Sequence, residues 1–480
     1  MHAVIFSRMK TLYTAVFLFC LLPVSSVAQV LLSDSLLQTY SVSELIGQGV
    51  GNAEYPVEVH KLVYATVDPF GEPTIASGAV VIPLSQGCYH AIASYMHGTI
   101  LNREDVPSRL SGEILVGYFL GATGYVGVLP DYLGLGDSPG PHPYIHAASE
   151  ATASIDMIRA AKEFCTQKDV LLNGQLFLTG YSQGGHSCMA THKMIQEQYP
   201  DEFNVTASAP CSGPYDVSGV QAEVMVSPNP YPAPYYLPYV VFSFGYVYPG
   251  LFDDISEVFK EPWATLLPPL FEGNNGSGAV DAIMPAAPSE ILLDSLLEAF
   301  SNDPDHYFRE ALRDNDLYDW VPADPVRMLY CESDSHVFYE NSIVAFNAML
   351  ANGATTVSAL SAGAGFDHGD CAFPALLQAK NWFDSMKGPC EWNGIDEREP
   401  ITWAAYPNPA RDHLRLTASD GLGHRMEWSL FAADGRRVDG GSLAVAHGEG
   451  FLALPAASPG LYVLHLAGDG ISSALRIVLE

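Results

Sequence analysis

The sequence predicts an α/β protein with an inserted cap, followed by a small all-β sandwich, and three observations lead there. Apolar strand-like runs alternate with helical patterns between Val57 and Met386. The stretch Gln175–Ser187, QLFLTGYSQGGHS, reads as strand, tight turn and helix. Beyond Pro400 the chain changes to short strands split by Gly- and Asp-rich turns.

The second of these anchors the rest. Leu176, Phe177 and Leu178 form a buried strand, Met189, Ala190, Met194 and Ile195 a helical pattern, and Gly180-Tyr181-Ser182-Gln183-Gly184 joins them. In that setting Gly-x-Ser-x-Gly is a nucleophile elbow: a strained turn lifts the Ser182 hydroxyl clear of the sheet, with glycines where strand and helix backbones pass too close for a Cβ. The unpaired N–H groups of the helix start favour an oxyanion forming beside Ser182. Three fixed positions in a glycine-rich chain also match by chance, and the flanking strand and helix separate the two readings.

The first element is a secretory signal over residues 1–28: Arg8 and Lys10 precede an apolar run from Leu12 to Leu22, and Ser26-Val27-Ala28 supplies a cleavage site. That run is too short to span a bilayer and ends at Pro23. The α/β body is expected over 29–390. Val57–Asp68 and Ile75–Pro83 flank Asp68-Pro69-Phe70-Gly71 as an antiparallel hairpin. Strands Ala91–Tyr95 and Tyr125–Leu129 lead into His97-Gly98-Thr99 and Pro130-Asp131, and Glu150–Glu163 is helical. Strands follow at Val205–Pro210 and Pro325–Glu332, and the stretch between them is too long for a simple crossover, so a cap is expected over about 213–322. Val224–Phe252 within it has no charge and many aromatics, among them Tyr231, Tyr235, Tyr236 and Tyr239; they form the cap's own core or line an apolar acyl pocket. Val337–Leu350 reads as a helix, Thr355–Leu360 as the last strand, Ala362–Asp370 as its loop and Ala375–Met386 as the closing helix. A linker is expected over 391–402 and the β-sandwich over 403–480.

A serine hydroxyl needs a base oriented by a carboxylate. On a parallel sheet the loops at the strand C-ends form the site, and the order nucleophile, acid, histidine selects Asp334, after the strand ending near Glu332, and His368, in the loop after the last strand. Glu332, Asp367 and Asp370 compete for the acid role, and His336 and His186 for the base. The expected oxyanion donors are the N–H of Gln183 and one from the His97-Gly98-Thr99 loop, with Thr99 as its nominee. A protonated Asp131 is a further candidate, set against a structural role in its turn.

Lys+Arg number 22 against Asp+Glu 54, a formal net charge of −32 that repels phosphate backbones and anionic headgroups; nucleic acid is not an expected partner. With 48% hydrophobic and 16% charged residues the chain is a folded body rather than an acidic disordered one. No C-x-x-C or Cys/His spacing suggests a metal, and the chemistry calls for no cofactor. Of the 8 cysteines, Cys20 falls in the leader; Cys88, Cys165, Cys188, Cys211, Cys331, Cys371 and Cys390 remain, an odd set. Cys331 lies three residues before Asp334 and Cys371 three after His368. Neighbouring strands run about 5 Å apart, within a disulfide's reach, so a bridge there stands against the reading of two buried thiols.

Two resemblances rest on these residues. Tyr95–Thr99 (YMHGT), Pro130–Gly136 (PDYLGLG) and Gly180–Gly185 (GYSQGG) stand in the order found in α/β-hydrolases of the secretory lipase and esterase type, and the region Val57–Lys387 resembles the fungal lipase A family. The resemblance implies a Ser182, Asp334, His368 triad, an oxyanion site near Gln183 and Asp131, and an acyl-ester or lipid substrate. The tail, with Tyr406-Pro407-Asn408-Pro409, Asp434-Gly435-Arg436, Gly460-Leu461-Tyr462 and a final Arg476-Ile477-Val478-Leu479, resembles the C-terminal sorting domain of the type IX secretion system. That implies a secreted or cell-surface protein exported through the periplasm and across the outer membrane, with the secretion machinery as partner. The alternatives are a serine peptidase on the same fold, a non-catalytic binding or adhesion protein, and for the tail a carbohydrate-binding or adhesive module using exposed Trp403 and Trp428.

Overall fold

A computed structural model describes residues 29–85, 87–390, 403–418, 424–433, 435–446, 448–468 and 471–480. The expected leader, the linker and Asp434 lie outside the described residues. The chain divides into two compact units, Met1–Cys390 and Glu391–Glu480.

The first unit is built on a nine-stranded sheet. Its strands are β1 (Leu31–Tyr40), β2 (Val57–Val67), β3 (Pro73–Pro83), β4 (His90–Met96), β5 (Tyr125–Pro130), β6 (Leu172–Tyr181), β7 (Val205–Cys211), β8 (Val326–Cys331) and β9 (Val357–Gly363). Their order is β1-β2-β3-β5-β4-β6-β7-β8-β9. The β2–β3 hairpin is antiparallel, with Val57 opposite Pro83 and Val67 opposite Pro73, as the sequence pattern expects. From β5 through β9 the pairings are parallel. Every residue of β4 and β5 is buried, which is why these strands read as unbroken apolar runs. Helices cover both faces: Ala147–Gln167 and Gln183–Gln198 pack on one through Ile155, Met157, Cys188 and Ile195, and Ile114–Ala122 and His368–Asp384 on the other through Tyr118, Leu120, Ala379 and Phe383. The chain passes from β4 to β5 on one side and to β6 on the other. The crevice at the C-ends of β4 and β6 is therefore the place where such a sheet opens for a ligand.

Three local expectations need correction. Strand β1 and the short helix Val42–Gly47 are absent from the sequence reading. β1 is an exposed edge strand with little burial to pattern it, although the capping box of Ser41 and Glu44 was visible in the sequence. The helix expected from Val337 begins at Glu340, because Asp334 holds residues 336 and 337 in a turn. The closing helix starts at His368 rather than Ala375. The Asp367 side chain caps the helix by accepting from the Asp370 N–H, and Pro374 is carried inside the second turn.

Between β7 and β8 the chain forms the cap, with helices Tyr236–Val247, Asp294–Asn302 and Tyr307–Arg313 around a core that includes Tyr239, Phe244, Phe259 and Ile291. The second unit is all β. One sheet joins Trp403–Tyr406, His413–Ala418 and Glu449–Ala453; the other joins Arg437–Val445, His424–Ala432, Gly460–Gly468 and Ile471–Leu479. Leu414, Leu416, Met426, Leu430, Leu464 and Ile477 fill one shared core. Trp403 and Trp428 belong to that core, 6% and 8% exposed, which corrects the expectation that a binding module would display them.

Candidate active site

The elbow forms as the sequence requires. Ser182 has φ 61° and ψ −122°, a strained conformation for a residue with a Cβ, and its N–H is fixed on Cys211 O at 3.0 Å. A Cβ on Gly180 would strike Gly184 O, and one on Gly184 would strike Met96 O, so both glycines are needed for the backbones to approach.

His368 Nε2 lies 2.8 Å from Ser182 Oγ, and Nδ1 lies 2.7 Å from Asp334 Oδ2. All three residues are buried, with Ser182 at 6%, His368 at 7% and Asp334 at 5% exposure. The other Asp334 oxygen accepts the N–H groups of His336 at 3.0 Å and Val337 at 2.9 Å, which fixes the carboxylate. With Nδ1–H donating to Asp334, Nε2 is the ring atom left to accept the hydrogen bond of the Ser182 hydroxyl. The Tyr181 hydroxyl donates to His368 O at 2.6 Å, tying the elbow to the histidine's backbone. Cys331, at the end of β8, is disulfide-bonded to Cys371 in the His368–Asp384 helix, with Cα atoms 5.9 Å apart. Cys88 is bonded to Cys390, while Cys165, Cys188 and Cys211 are free and buried.

The competing residues stand elsewhere. Glu332 follows the end of β8 and is exposed, Asp367 and Asp370 serve the helix cap, and His186 pairs with Glu150. His336 stacks on His368, ring centroids 4.9 Å apart and planes 17° apart. Burial, followed by the neighbouring His368, holds the His336 imidazole below its usual pKa.

Gln183 opens the elbow helix, which puts its N–H next to the serine. The Gly98 N–H is already taken by Glu113 Oε2 at 3.1 Å, and the same oxygen accepts from the Tyr95 hydroxyl. Thr99 Oγ1 is 3.0 Å from the Tyr144 hydroxyl. Asp131 is fully buried, and burial raises its pKa against the opposing hydrogen bonds of Ser108 and Ser77. Its carboxyl is turned to those two groups, Oδ1 accepting from Ser108 N at 3.0 Å and Oδ2 from Ser77 Oγ at 2.6 Å.

Beside Ser182 and Gln183 lies a cavity with about 100 Å³ open to the centre of a water-sized sphere, lined through the cap by Met225, Val241, Leu296, Phe300 and Leu312. Of the cap tyrosines singled out in the sequence, Tyr236 lines it, while Tyr231, Tyr235 and Tyr239 pack within the cap cluster. Burial pushes the Tyr236 phenol above its usual pKa, so it stays a donor. Glu113 and the stacking of His336 on His368 were not found from sequence: each reaches the site through tertiary packing, and neither carries a spacing that marks it. Among the described residues no group of His, Cys, Asp and Glu could hold a metal ion.

The fold is that of an α/β-hydrolase. A candidate hydrolase from Legionella pneumophila superimposes with a TM-score of 0.69 at 29% identity, over 74% of this chain and 98% of its own. The rice cell wall degrading esterase LipA of Xanthomonas oryzae gives 0.67 at 29% identity, over 75% of this chain and 97% of its own. Candida antarctica lipase A in its closed state shares the fold, with a TM-score of 0.56 at 17% identity over 75% of this chain and 83% of its own. No family model and no curated protein sequence matches the chain.

Proposed function

We propose that the protein is a serine hydrolase of carboxylic esters, a lipase or esterase, working through an acyl-enzyme. The observation that carries this reading is the buried chain of hydrogen bonds from Ser182 Oγ to His368 to Asp334, at 2.8 and 2.7 Å, at the mouth of an apolar cavity. Ser182 Oγ attacks the ester carbonyl as His368 Nε2 takes its proton. The oxyanion forms against the Gln183 N–H at the helix start, with a second donor from the Thr99 region. The C–O bond to the alcohol breaks as His368 returns the proton to it, and a water, activated by the same imidazole, releases the acid and restores Ser182. The structural neighbours, one an esterase at 29% identity, favour esters over peptides.

Nitrophenyl esters of short and long acyl chains, assayed beside peptide substrates with Ser182→Ala as control, test the reading. Ester turnover that vanishes in a folded Ser182→Ala supports it. Turnover that persists there, or that is confined to peptides, overturns it. The tail is proposed as the export signal that its sequence resembles, which makes the protein secreted or surface-held. Support comes from its compact seven-stranded form and from the burial of the two tryptophans that an adhesive module would have displayed.

A further inference from the structure

Glu150 is 1% exposed and has no part in the proposed reaction, yet it clamps the first turn of the elbow helix from both sides. Its Oε1 accepts from Gln183 Nε2 at 2.8 Å and from the Ile145 N–H at 3.2 Å; its Oε2 lies 2.7 Å from His186 Nδ1. His186 Nε2 lies 2.9 Å from Asn315 O. A carbonyl oxygen only accepts, so Nε2 carries a hydrogen, and the Nδ1–Oε2 contact then holds one proton between its two atoms.

The second hydrogen of the Gln183 amide is aimed at His142 Nε2, 2.8 Å away. His142 Nδ1 faces Leu133 O at 2.8 Å and must donate there, leaving Nε2 as an acceptor. Burial, the largest cause, pushes the His142 imidazole down to about 4, so that acceptor stays unprotonated. Both hydrogens of the Gln183 amide are thus spent on fixed acceptors, which settles which end is nitrogen. The helix start cannot rotate without breaking two buried hydrogen bonds. Asn315 continues the chain of contacts into the cap: Oδ1 accepts from Ala147 N at 2.8 Å, and Nδ2 donates to the Tyr248 hydroxyl at 2.8 Å and to Ala311 O at 2.9 Å.

We propose that Glu150 is a positioning residue for the reaction: through the Gln183 side chain, and with His186 as its partner, it holds the Gln183 N–H where the oxyanion forms. This rests on the serine-hydrolase reading above. It differs from a generic structural role in requiring that the hydrogen bonds to Gln183, and not the charge of Glu150, carry the effect. In Glu150→Gln every contact can be remade: the amide oxygen accepts from Gln183 and Ile145, and the amide N–H takes the place of the shared proton toward a neutral His186.

The test measures kcat and KM on a nitrophenyl ester for the full chain carrying Glu150→Ala, Glu150→Gln, Gln183→Met and the Glu150→Ala/Gln183→Met pair, with Ser182→Ala in parallel. Glu150→Ala and Gln183→Met are expected to lower kcat at least tenfold with KM within twofold. Glu150→Gln should recover most of the loss, and the double variant should be no worse than the poorer single one. Gln183→Met cuts only the two amide bonds, so it decides the matter even if Glu150→Ala does not fold. A Gln183→Met enzyme with unchanged kcat, or a Glu150→Gln enzyme as impaired as a folded Glu150→Ala, overturns the proposal. Activity surviving in Ser182→Ala overturns the underlying reading instead.

Discussion

At the scale of single residues, the proposed triad makes the sharpest demand. Removing either end of the Ser182–His368 bond should cost orders of magnitude in ester turnover, so Ser182→Ala and His368→Ala are expected to be folded and nearly inactive. Asp334→Asn keeps the shape but gives the imidazole an amide to face, and should lose turnover steeply through the wrong tautomer. Rates on one ester with circular dichroism as a folding control check all three; an Asp334→Asn enzyme at parent rates would move the acid role elsewhere.

A second residue-scale expectation concerns acid. His146, like His142, is pushed down to about 4, with burial as the largest cause. A histidine held neutral in the fold but protonating near 6.5 when unfolded takes up its proton only on unfolding. Its contribution to stability is present above pH 6.5 and is lost as pH falls toward 4. For a shift of this size the loss is about 3 kcal/mol. The fall in Tm between pH 7 and pH 5 should therefore be smaller in His146→Gln than in the parent, and an unchanged fall would refute the assignment. The elbow, and the approach of Asp334 and His368 to Ser182, were legible in the sequence because chain order and strand ends fix them. The environments of His142 and His146 were not, because burial is a property of neighbours far away in the chain.

At the scale of elements, β8 and the closing helix are the parts that lead into Asp334 and carry His368, the proposed acid and base, and the Cys331–Cys371 bridge joins them. The sequence left bridge and free thiols open; the structure forms the bridge. It closes a loop with a sequence separation of 40 residues, worth about 4 kcal/mol in the chain-entropy view. Cys331→Ser/Cys371→Ser should thus lower Tm by several degrees and weaken kcat more than KM, since the loops bearing Asp334 and His368 lose a shared tether. A double variant with the parent's Tm and rate would show that packing alone sets their register. The closing helix also marks where sequence reasoning stops: the pattern placed its start at Ala375 and left His368 in a loop, whereas a capping aspartate sets it at His368. Competing local signals of similar size are settled by what the helix packs against, here β8 and β9.

At the scale of the whole molecule, the two units pose separate questions. If the tail is an export signal, deleting 403–480 should leave an active hydrolase confined to the periplasm. Fractionation with an ester assay decides it, and an enzyme that still reaches the medium would exclude that role. The division of the chain was visible from its change of composition. The tail's individual strands were harder: the short Trp403–Tyr406 went unread, as did Arg437–Val445 and Glu449–Ala453, where glycines and charged residues interrupt the alternation. In the first unit β4 and β5 were read nearly to their ends because full burial leaves them uniformly apolar, while the edge strand β1 escaped for lack of that signature.

The bridge between Cys88 and Cys390 spans 302 residues and sits at the last described residue before the tail. Cys88 lies two residues before β4, a strand flanked on both sides by β5 and β6. A pull transmitted backward along the chain from residue 391 would otherwise peel the closing helix away turn by turn, carrying His368 with it. With the bridge in place the load passes from Cys390 into Cys88, and so into a strand whose displacement must shear two rows of hydrogen bonds together. If the tail holds the protein at a surface as proposed, the first unit would hang by its C-terminus under drag with His368 mechanically shielded.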